Sequence, residues 1–420
     1  MFYADLHIHS KFSRATSKDM NLETIEQWAQ IKGIKLIGTG DFTHPEWLKE
    51  IENKLNEEGN GLFTLKKQFR LEVPESCKDE VYFILSSEIS CIYQKNGKLR
   101  KIHLVILSPS LKDVLKINYA LSQIGSLTSD GRPILGIDAK VLMQIILEVS
   151  PESMIIPAHA WTPHFSVFGS QSGFDSLEEC FEELTPHIYA IETGLSSDPP
   201  MNWRLSKLDK VILISNSDAH SPAKIGREAN ILDTELSYKS IINAIKTGKG
   251  FLGTVEFFPE EGKYHYDGHR VCGIRLSPKE TIKRNYLCPV CGKKVTVGVM
   301  HRVEVLSDRE EGFKPPQAVP YKSIIPLQEI IAEINNCSVQ SKGVFNSYMK
   351  AIIKLGSEYE ILLNKNLSEI DKFDSKLSEA IERMRLGKVL LEPGYDGEYG
   401  RIRVFGENME TEIKGQTILF

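Results

Sequence analysis

Two histidines one residue apart, His7 and His9, follow the first apolar run of the chain, and a second alternating pair, Asp218 and His220, follows a run some two hundred residues later. A two-residue spacing on extended chain points both side chains to one face. Between the pairs, single ligand-type residues recur at the ends of β-type runs: Asp41 in Gly38-Thr39-Gly40-Asp41, Glu88, His159 in Pro157-Ala158-His159, and Glu192 in Ile191-Glu192-Thr193. Imidazoles and carboxylates gathered at one place would repel one another and lose hydration at large cost unless cations neutralise them. Mixed imidazole and carboxylate ligation suits Zn²⁺, Mn²⁺ or Fe²⁺ better than Ca²⁺, and Mg²⁺ favours fewer histidines. Two cations about 3.5–4 Å apart acidify a water between them, polarise a phosphoryl oxygen and steady the leaving oxygen. The chemistry read from these residues is metal-dependent phosphoester hydrolysis. Zn²⁺ is the expected active-site metal, with Mg²⁺ or Mn²⁺ as alternatives. Isolated His44, His164 and His187 read as surface or hydrogen-bonded side chains. His103 opens an apolar run instead of closing one, and spacing alone leaves it equally a ligand or the first residue of a strand.

A second cluster lies downstream. Cys288-x-x-Cys291 is a thiolate knuckle, and His269-x-x-Cys272 upstream offers the other half of a four-ligand zinc site. His265 and His301 are the competing choices for the fourth ligand. Such a closed site is structural, folding a segment too small to hold a core without a staple. The same segment is basic: Lys263 to Arg302 carries nine Lys and Arg against two acids, in a chain whose net charge is −5. Arg270, Lys283, Arg284, Lys293 and Lys294, interleaved with Tyr264, Tyr266 and Tyr286, suit phosphate contact and base stacking. Cys77, Cys91, Cys180 and Cys337 are scattered, and seven cysteines in all read as reduced thiols plus one metal knot.

The elements that must position the first cluster alternate between strand and helix from Met1 to about Phe258. Strands are expected at Phe2–His7, Ile34–Thr39, Val81–Glu88, Ile102–Leu107, Met154–Ala158, Ile188–Glu192 and Val211–Ser215, with helices such as Leu22–Gln30, Leu111–Gln123, Ala139–Val149 and Tyr238–Lys246 between them. This predicts an α/β fold, a distorted seven-stranded (βα) barrel whose strand ends converge on the site. The expected domains are the hydrolase barrel at 1–258, a zinc-binding domain at 259–313, and a helical C-terminal domain at 320–420, with helices at Leu327–Ile334, Val344–Leu363 and Leu367–Leu386 and a turn-and-strand tail at Gly394–Val404. With 41% hydrophobic residues the chain can bury a sizeable core. No apolar run reaches the ~18 residues of a membrane span, and Met1 to His9 is too polar for a signal peptide, so a cytoplasmic location is expected.

At these residues the chain resembles the polymerase-and-histidinol-phosphatase (PHP) family, through Asp5-Leu6-His7-Ile8-His9-Ser10, the acid after the second strand, Glu88, His103-Leu104-Val105-Ile106-Leu107, Pro157-Ala158-His159 and Ser217-Asp218-Ala219-His220. The resemblance covers about residues 1 to 255. It implies metal roles for His7, His9, Glu88, His103, His159, Asp218 and His220, with Glu88 as a bridge. The chain departs from that pattern at Gly40-Asp41-Phe42, where Thr-Asp-His is usual, and Arg14 stands where a third-metal ligand is often found, which weakens the case for a complete third cation site. Over nearly its whole length the chain is similar to the endonuclease Q family, DNA-repair nucleases built on a PHP domain. The motifs are Gly38-Thr39-Gly40-Asp41, Glu192-Thr193-Gly194-Leu195-Ser196-Ser197-Asp198-Pro199, Tyr264-His265-Tyr266-Asp267-Gly268-His269-Arg270-Val271-Cys272, Cys288-Pro289-Val290-Cys291-Gly292-Lys293 and Gly394-Tyr395-Asp396-Gly397. This similarity implies a nick in DNA 5′ to a deaminated base (uracil, hypoxanthine or xanthine) or an abasic site; whether a sliding clamp is a further partner the sequence leaves open. Asp41, Glu192 and Asp198 are the candidate catalytic acids; Asp198 reads equally as the N-cap of a helix opening at Pro199. The competing function is a small-molecule phosphomonoesterase of the histidinol-phosphatase type, which has no use for a zinc knot or a basic patch.

Overall fold

The computed structural model describes residues 1–406 and the backbone of Thr411–Glu412. The part of the expected C-terminal domain beyond Gly406 otherwise lies outside the described residues. Two compact units emerge, Met1–Gly194 with Lys210–Val255, and Leu195–Asp209 with the chain from Glu256 onward.

The first unit is built on twelve strands: β1 (Phe2–Asp5), β2 (Leu36–Gly38), β3 (Leu55–Glu57), β4 (Phe63–Leu65), β5 (Tyr82–Lys95), β6 (Lys98–Ser108), β7 (Ile134–Leu135), β8 (Met154–Pro157), β9 (Ala190–Glu192), β10 (Ile212–Ile214), β11 (Ala229–Leu232) and β12 (Phe251–Glu256). The α/β class is as expected, but the sheet is mixed. β1, β2 and β5 run parallel, whereas β11 is antiparallel to both β1 and β12. β9 and β10 form a separate parallel pair, so the hydrogen-bonded ladder is interrupted on either side of them. Short strands such as β2 and β8 are buried along their whole length, which is why they read as continuous apolar runs. Helices cover the sheet with one apolar stripe each. Leu111–Ser122 buries Val114, Ile117 and Leu121 at three-to-four spacing, and Ser110 caps it by accepting from the Asp113 backbone N–H.

The largest departure from expectation concerns Glu88. Its strand does not stop there but runs on to Lys95, turns through Asn96-Gly97, and returns antiparallel as β6. Asn96 and Gly97 both have left-handed backbones (φ 52° and 71°), the geometry of a two-residue hairpin turn that favours an Asn-Gly pair. Two strands expected to be parallel βα units are therefore one hairpin.

In the second unit the zinc-type segment is a hairpin, Asp267–His269 against Ile274–Leu276, followed by a capped helix at Pro278–Lys283. Its own apolar cluster is Leu276, Cys288 and Val295, with Cys272 and Ile274 against it. Residues 195–209, which strand order assigned to the barrel, belong to this unit. Arg204 pairs with Glu304 (2.5 Å), the Ser206 backbone N–H donates to Asp308 (2.9 Å), and Arg309 pairs with Asp209 (2.7 Å from Nη1). The expected 344–363 helix is broken after Leu355 by Gly356, and the 367–386 helix is split at Asp374, which caps Ser375–Arg385. Buried Glu358 accepts from the Leu327 backbone N–H (3.0 Å) and from the Tyr348 hydroxyl (2.7 Å), so it supplies the N-terminal acceptor that Pro326 cannot. The Gly394–Val404 tail contains the expected strand, Arg401–Arg403, paired with Lys388–Glu392. No helix among the described residues is long and apolar enough to cross a membrane.

Candidate metal centre

The two alternating pairs are neighbours. His7-Ile8-His9 and Asp218-Ala219-His220 lie side by side as a short parallel ladder: the Asp218 N–H donates to the His7 carbonyl (3.0 Å) and the His9 N–H to the Ala219 carbonyl (3.0 Å). Ile8 and Ala219 point into the core, so strand alternation turns all four ligand-type side chains to the other face. The His9 and His220 rings lie 4.5 Å apart. The β5–β6 hairpin adds the next ligands. Glu88 is opposite Val105, and His103 is two residues on, on the same face, which puts its Nδ1 2.8 Å from Glu88 Oε1. His159, just past β8, brings Nε2 to 3.1 Å from the same oxygen, and His9 Nε2 is 3.3 Å from Oε2. Oε1 of Glu88 thus faces His103, His159 and, at 3.7 Å, His7 Nε2, while Oε2 faces His9, which places the carboxylate between all four imidazoles.

Three groups of donor atoms lie close enough to hold a cation each: His7, His9 and Glu88; Glu88, His103 and His159; and His9, Asp218 and His220. The third group exists although Arg14 is exposed and offers no ligand. His7 Nε2, His9 Nε2 and Asp218 Oδ1 are buried without a hydrogen bond among the described residues, even though His9 Nε2 and Asp218 Oδ1 are only 3.1 Å apart. Buried polar atoms normally find partners. Orphaned lone pairs that converge on one space fit cations.

In four of the five rings the outer nitrogen is Nδ1 and is held, whereas His103 turns its Nδ1 inward to Glu88. His7 Nδ1 donates to Glu192 (2.9 Å), His9 Nδ1 to Asp41 (3.1 Å), His159 Nδ1 to Thr162 Oγ1 (3.0 Å) and His220 Nδ1 to the Asp218 carbonyl (2.8 Å). These bonds assign the proton to Nδ1 and turn the Nε2 lone pair inward. Asp41 and Glu192 therefore stand behind the imidazoles. Asp41 also accepts from the Ser10 N–H (2.7 Å), the Ser10 hydroxyl (2.6 Å) and the Ser13 hydroxyl (2.8 Å), and Glu192 from Asn216 (3.2 Å) and the His159 N–H (3.3 Å). With these donors in place, both carboxylates are fully engaged and contact the imidazoles at their outer nitrogens. Asp198 is the helix cap: its Oδ1 accepts from the Met201 N–H at 2.9 Å. Burial pushes the Asp198 carboxyl up to about 6.

Electrostatics follow from this packing. Burial alone would raise Glu88, but His103, Arg132 and His7 hold it well below the usual carboxylate range. Burial pushes His103 down to about 4 in spite of Glu88. Asp41, His159 and Asp218 all adopt left-handed backbones (φ 49°, 29° and 47°), conformations that side chains adopt at some cost and that recur at functional sites. Gly40, at φ 64°, lies where a Cβ would come within 2.5 Å of the Ile8 carbonyl, and so lets the chain deliver Asp41 to His9.

Sequence reasoning did not single out Ser10, Ser13, Thr162, Asn216 or Arg132. The serines and Asn216 were legible as neighbours of His9 and Asp218. Arg132 carried no signal, since it sits in an irregular loop, yet its Nη1 is 3.0 Å from Glu88 Oε2.

In the second unit the donors of His269, Cys272, Cys288 and Cys291 converge, with Cys291 Sγ 3.6 Å from His269 Nδ1. His265 is buried and stacked on Tyr266, and His301 is engaged by Asp267 at 2.8 Å, so the geometry selects His269 from the three candidates. Burial raises the Cys288 thiol, but the backbone N–H groups of Cys291 and Val290 outweigh it and bring it to about 7, favouring thiolate. Arg270, Lys283, Arg284, Lys293, Lys294 and Tyr264 are exposed, and Tyr266 is half-buried.

Comparison with known proteins adds three findings. The MJ0043 C-terminal domain family matches residues 326–388, the helical end of the chain. Protein MJ0043 of Methanocaldococcus jannaschii is 32% identical over 280 residues, which is 63% of this chain but only 34% of that protein, so the chain spans about a third of this relative's length. Two solved structures superpose on nearly the whole chain. The lesion-specific endonuclease PfuEndoQ from Pyrococcus furiosus is 30% identical with a TM-score of 0.83, covering 96% of this chain and 95% of that one. Endonuclease Q complexed with a 27-mer duplex substrate carrying an abasic lesion at its active site is 29% identical with a TM-score of 0.82, covering 98% and 99%.

Proposed function

The chain belongs to the endonuclease Q family, and from that premise we propose that it is a metal-dependent DNA-repair endonuclease that hydrolyses the phosphodiester 5′ to a deaminated base (uracil, hypoxanthine or xanthine) or an abasic site. The observation that carries this reading is the carboxylate of Glu88, shared between two imidazole sets and surrounded by orphaned inward-facing donor atoms. His7, His9, Glu88, His103, His159, Asp218 and His220 would hold the cations, Zn²⁺ being favoured by the imidazole-rich set and Mg²⁺ or Mn²⁺ being the alternatives. Bound there, cations supply Lewis acidity toward a phosphoryl oxygen and acidify water at neutral pH. Glu192 and Asp41 keep His7 and His9 in the tautomer and orientation that leave Nε2 available. Asp218 is the carboxylate of the set that keeps contact with solvent, its side chain being 24% exposed against 0% for Glu88.

His269, Cys272, Cys288 and Cys291 would hold a structural Zn²⁺ that folds the basic hairpin. The exposed Arg270, Lys283, Arg284, Lys293 and Lys294 then contact backbone phosphates, while Tyr264 and Tyr266 offer stacking surfaces to unpaired bases. A sliding clamp is a candidate further partner, and pull-down with purified clamp by the full chain tests it.

The deciding experiment incubates the protein with end-labelled duplexes containing uracil, hypoxanthine, xanthine, an abasic site or no lesion, under Mg²⁺, Mn²⁺ or Zn²⁺, and maps the break. A nick on the 5′ side of the lesion, abolished by His9→Ala and by Asp218→Ala, is expected. Uniform absence of nicking, or turnover of small phosphomonoesters instead, overturns the reading.

A further inference from the structure

We propose that Arg132 is the contact of this enzyme to the scissile phosphate: its guanidinium, docked on Glu88, grips the non-bridging oxygens of the DNA strand at the metal cluster. The proposal rests on the endonuclease reading above. It starts from how the residue is delivered. The loop before β7 is clamped at the floor of the site on four sides: the Gly131 N–H donates to the Phe12 carbonyl (3.0 Å), the Thr43 hydroxyl to the Gly131 carbonyl (3.2 Å), the Ser90 N–H to the Pro133 carbonyl (3.0 Å), and Asp130 accepts from the Arg14 and Arg132 N–H groups (3.1 Å each). At Gly131 a Cβ would collide with the Asp41 carboxylate and the Ser13 hydroxyl, the two groups that orient His9. Only a glycine lets the loop pass this close, and the next residue is Arg132. The arginine is therefore positioned by the same side chains that orient a ligand.

Its guanidinium is placed for more than neutralising Glu88. Oε2 of Glu88 is the oxygen that also faces His9, at 3.3 Å from its Nε2, so the guanidinium sits against the carboxylate on the side of that ligand. Among the described residues Glu88 takes one of the five guanidinium N–H donors, and the side chain is 23% exposed. Asp218 is close enough to act on it electrostatically. A planar fork with spare donors, permanently charged and reachable from solvent at the edge of a metal-ligand cluster, matches a phosphodiester with two charged oxygens. Charge grows on those oxygens as the phosphorus is attacked, so a donor fixed there stabilises the transition state more than the ground state.

The test uses the full chain with Arg132→Ala and Arg132→Lys and three readouts: metal content, cleavage of an abasic-site duplex, and the salt dependence of binding to a duplex whose scissile linkage is a charged, non-hydrolysable phosphonate. R132A is expected to keep its metal content and to cleave about 10²–10³-fold more slowly, the usual effect of losing one such donor. Its plot of log affinity against log salt should be shallower by about 0.9, one phosphate contact. R132K, which keeps the charge but not the fork, should restore the slope and recover only part of the rate. Cleavage by R132A within threefold of wild type, an unchanged salt slope, or metal loss in step with activity each overturns the proposal. If wild type does not cut at all, the endonuclease reading fails, and the salt slope still decides whether Arg132 meets a phosphate.

Discussion

Replacing Glu192 by Gln separates a ligand-orienting role from a chemical one. The carboxylate is fully buried and accepts from three donors: His7 Nδ1 at 2.9 Å and Asn216 Nδ2 at 3.2 Å on Oε2, and the His159 backbone N–H at 3.3 Å on Oε1. A glutamine has the same shape but one acceptor. Turned one way it leaves the His159 N–H facing an NH₂; turned the other way it strands Asn216 and leaves His7 only the longer 3.2 Å contact to the remaining oxygen. A buried donor without a partner costs about 1–3 kcal/mol, and His7 also loses the negative charge that makes its Nε2 a better ligand. Metal affinity should fall about 10–100-fold, or ~1.4–2.7 kcal/mol. The assay is cleavage rate against buffered metal concentration, with chelator competition as a check. The half-saturating concentration should move up by that factor, and the plateau rate should return to within several-fold of wild type. An unmoved midpoint with a plateau lowered by three orders of magnitude would refute the reasoning and make Glu192 a group that acts on the reacting atoms.

Cys291→Ser should release the proposed structural zinc and unfold residues 267–296, whose apolar cluster is little more than Leu276, Cys288 and Val295, since such sites draw about 10–16 kcal/mol from the metal; protease cleavage confined to that segment is the expected readout, and wild-type resistance without zinc contradicts it. Glu260 has a sealed Oε2 without a partner, and burial, aided by the charge of Asp198, pushes its carboxyl from 4.5 to about 7. The folded state then binds more protons than the unfolded state between those values, so Glu260 lowers stability progressively as pH rises from 4.5 to 7. Glu260→Gln should match wild type at pH 4.5 and be more stable at pH 8 by up to ~3 kcal/mol. Equal unfolding midpoints at pH 8 would contradict the shift.

How much of this was legible beforehand varies by residue. The alternating pairs His7/His9 and Asp218/His220 needed only strand periodicity, and the structure sets them on one face of one short ladder. Spacing could not classify His103, because its position depends on the Asn96-Gly97 turn folding β6 back on β5; that pair was visible in the chain, but its consequence was not drawn. Asp198 lies six residues from Glu192 in sequence, yet it belongs to a different compact unit.

Residue types, their alternation and the Cys-x-x-Cys spacing are local properties, and they sufficed to select metal-ligand chemistry, a His-Cys-Cys-Cys donor cluster and an α/β scaffold. Tertiary structure decided the rest: which ring nitrogen faces inward, that Asp41 and Glu192 stand behind their histidines, that His269 and not His265 or His301 joins the thiols, and that an irregular loop carries Arg132 to Glu88. Each of those depends on partners far apart in sequence, such as the 185 positions between His7 and Glu192, and a contact of that kind is set by how the elements pack and not by any period along the chain.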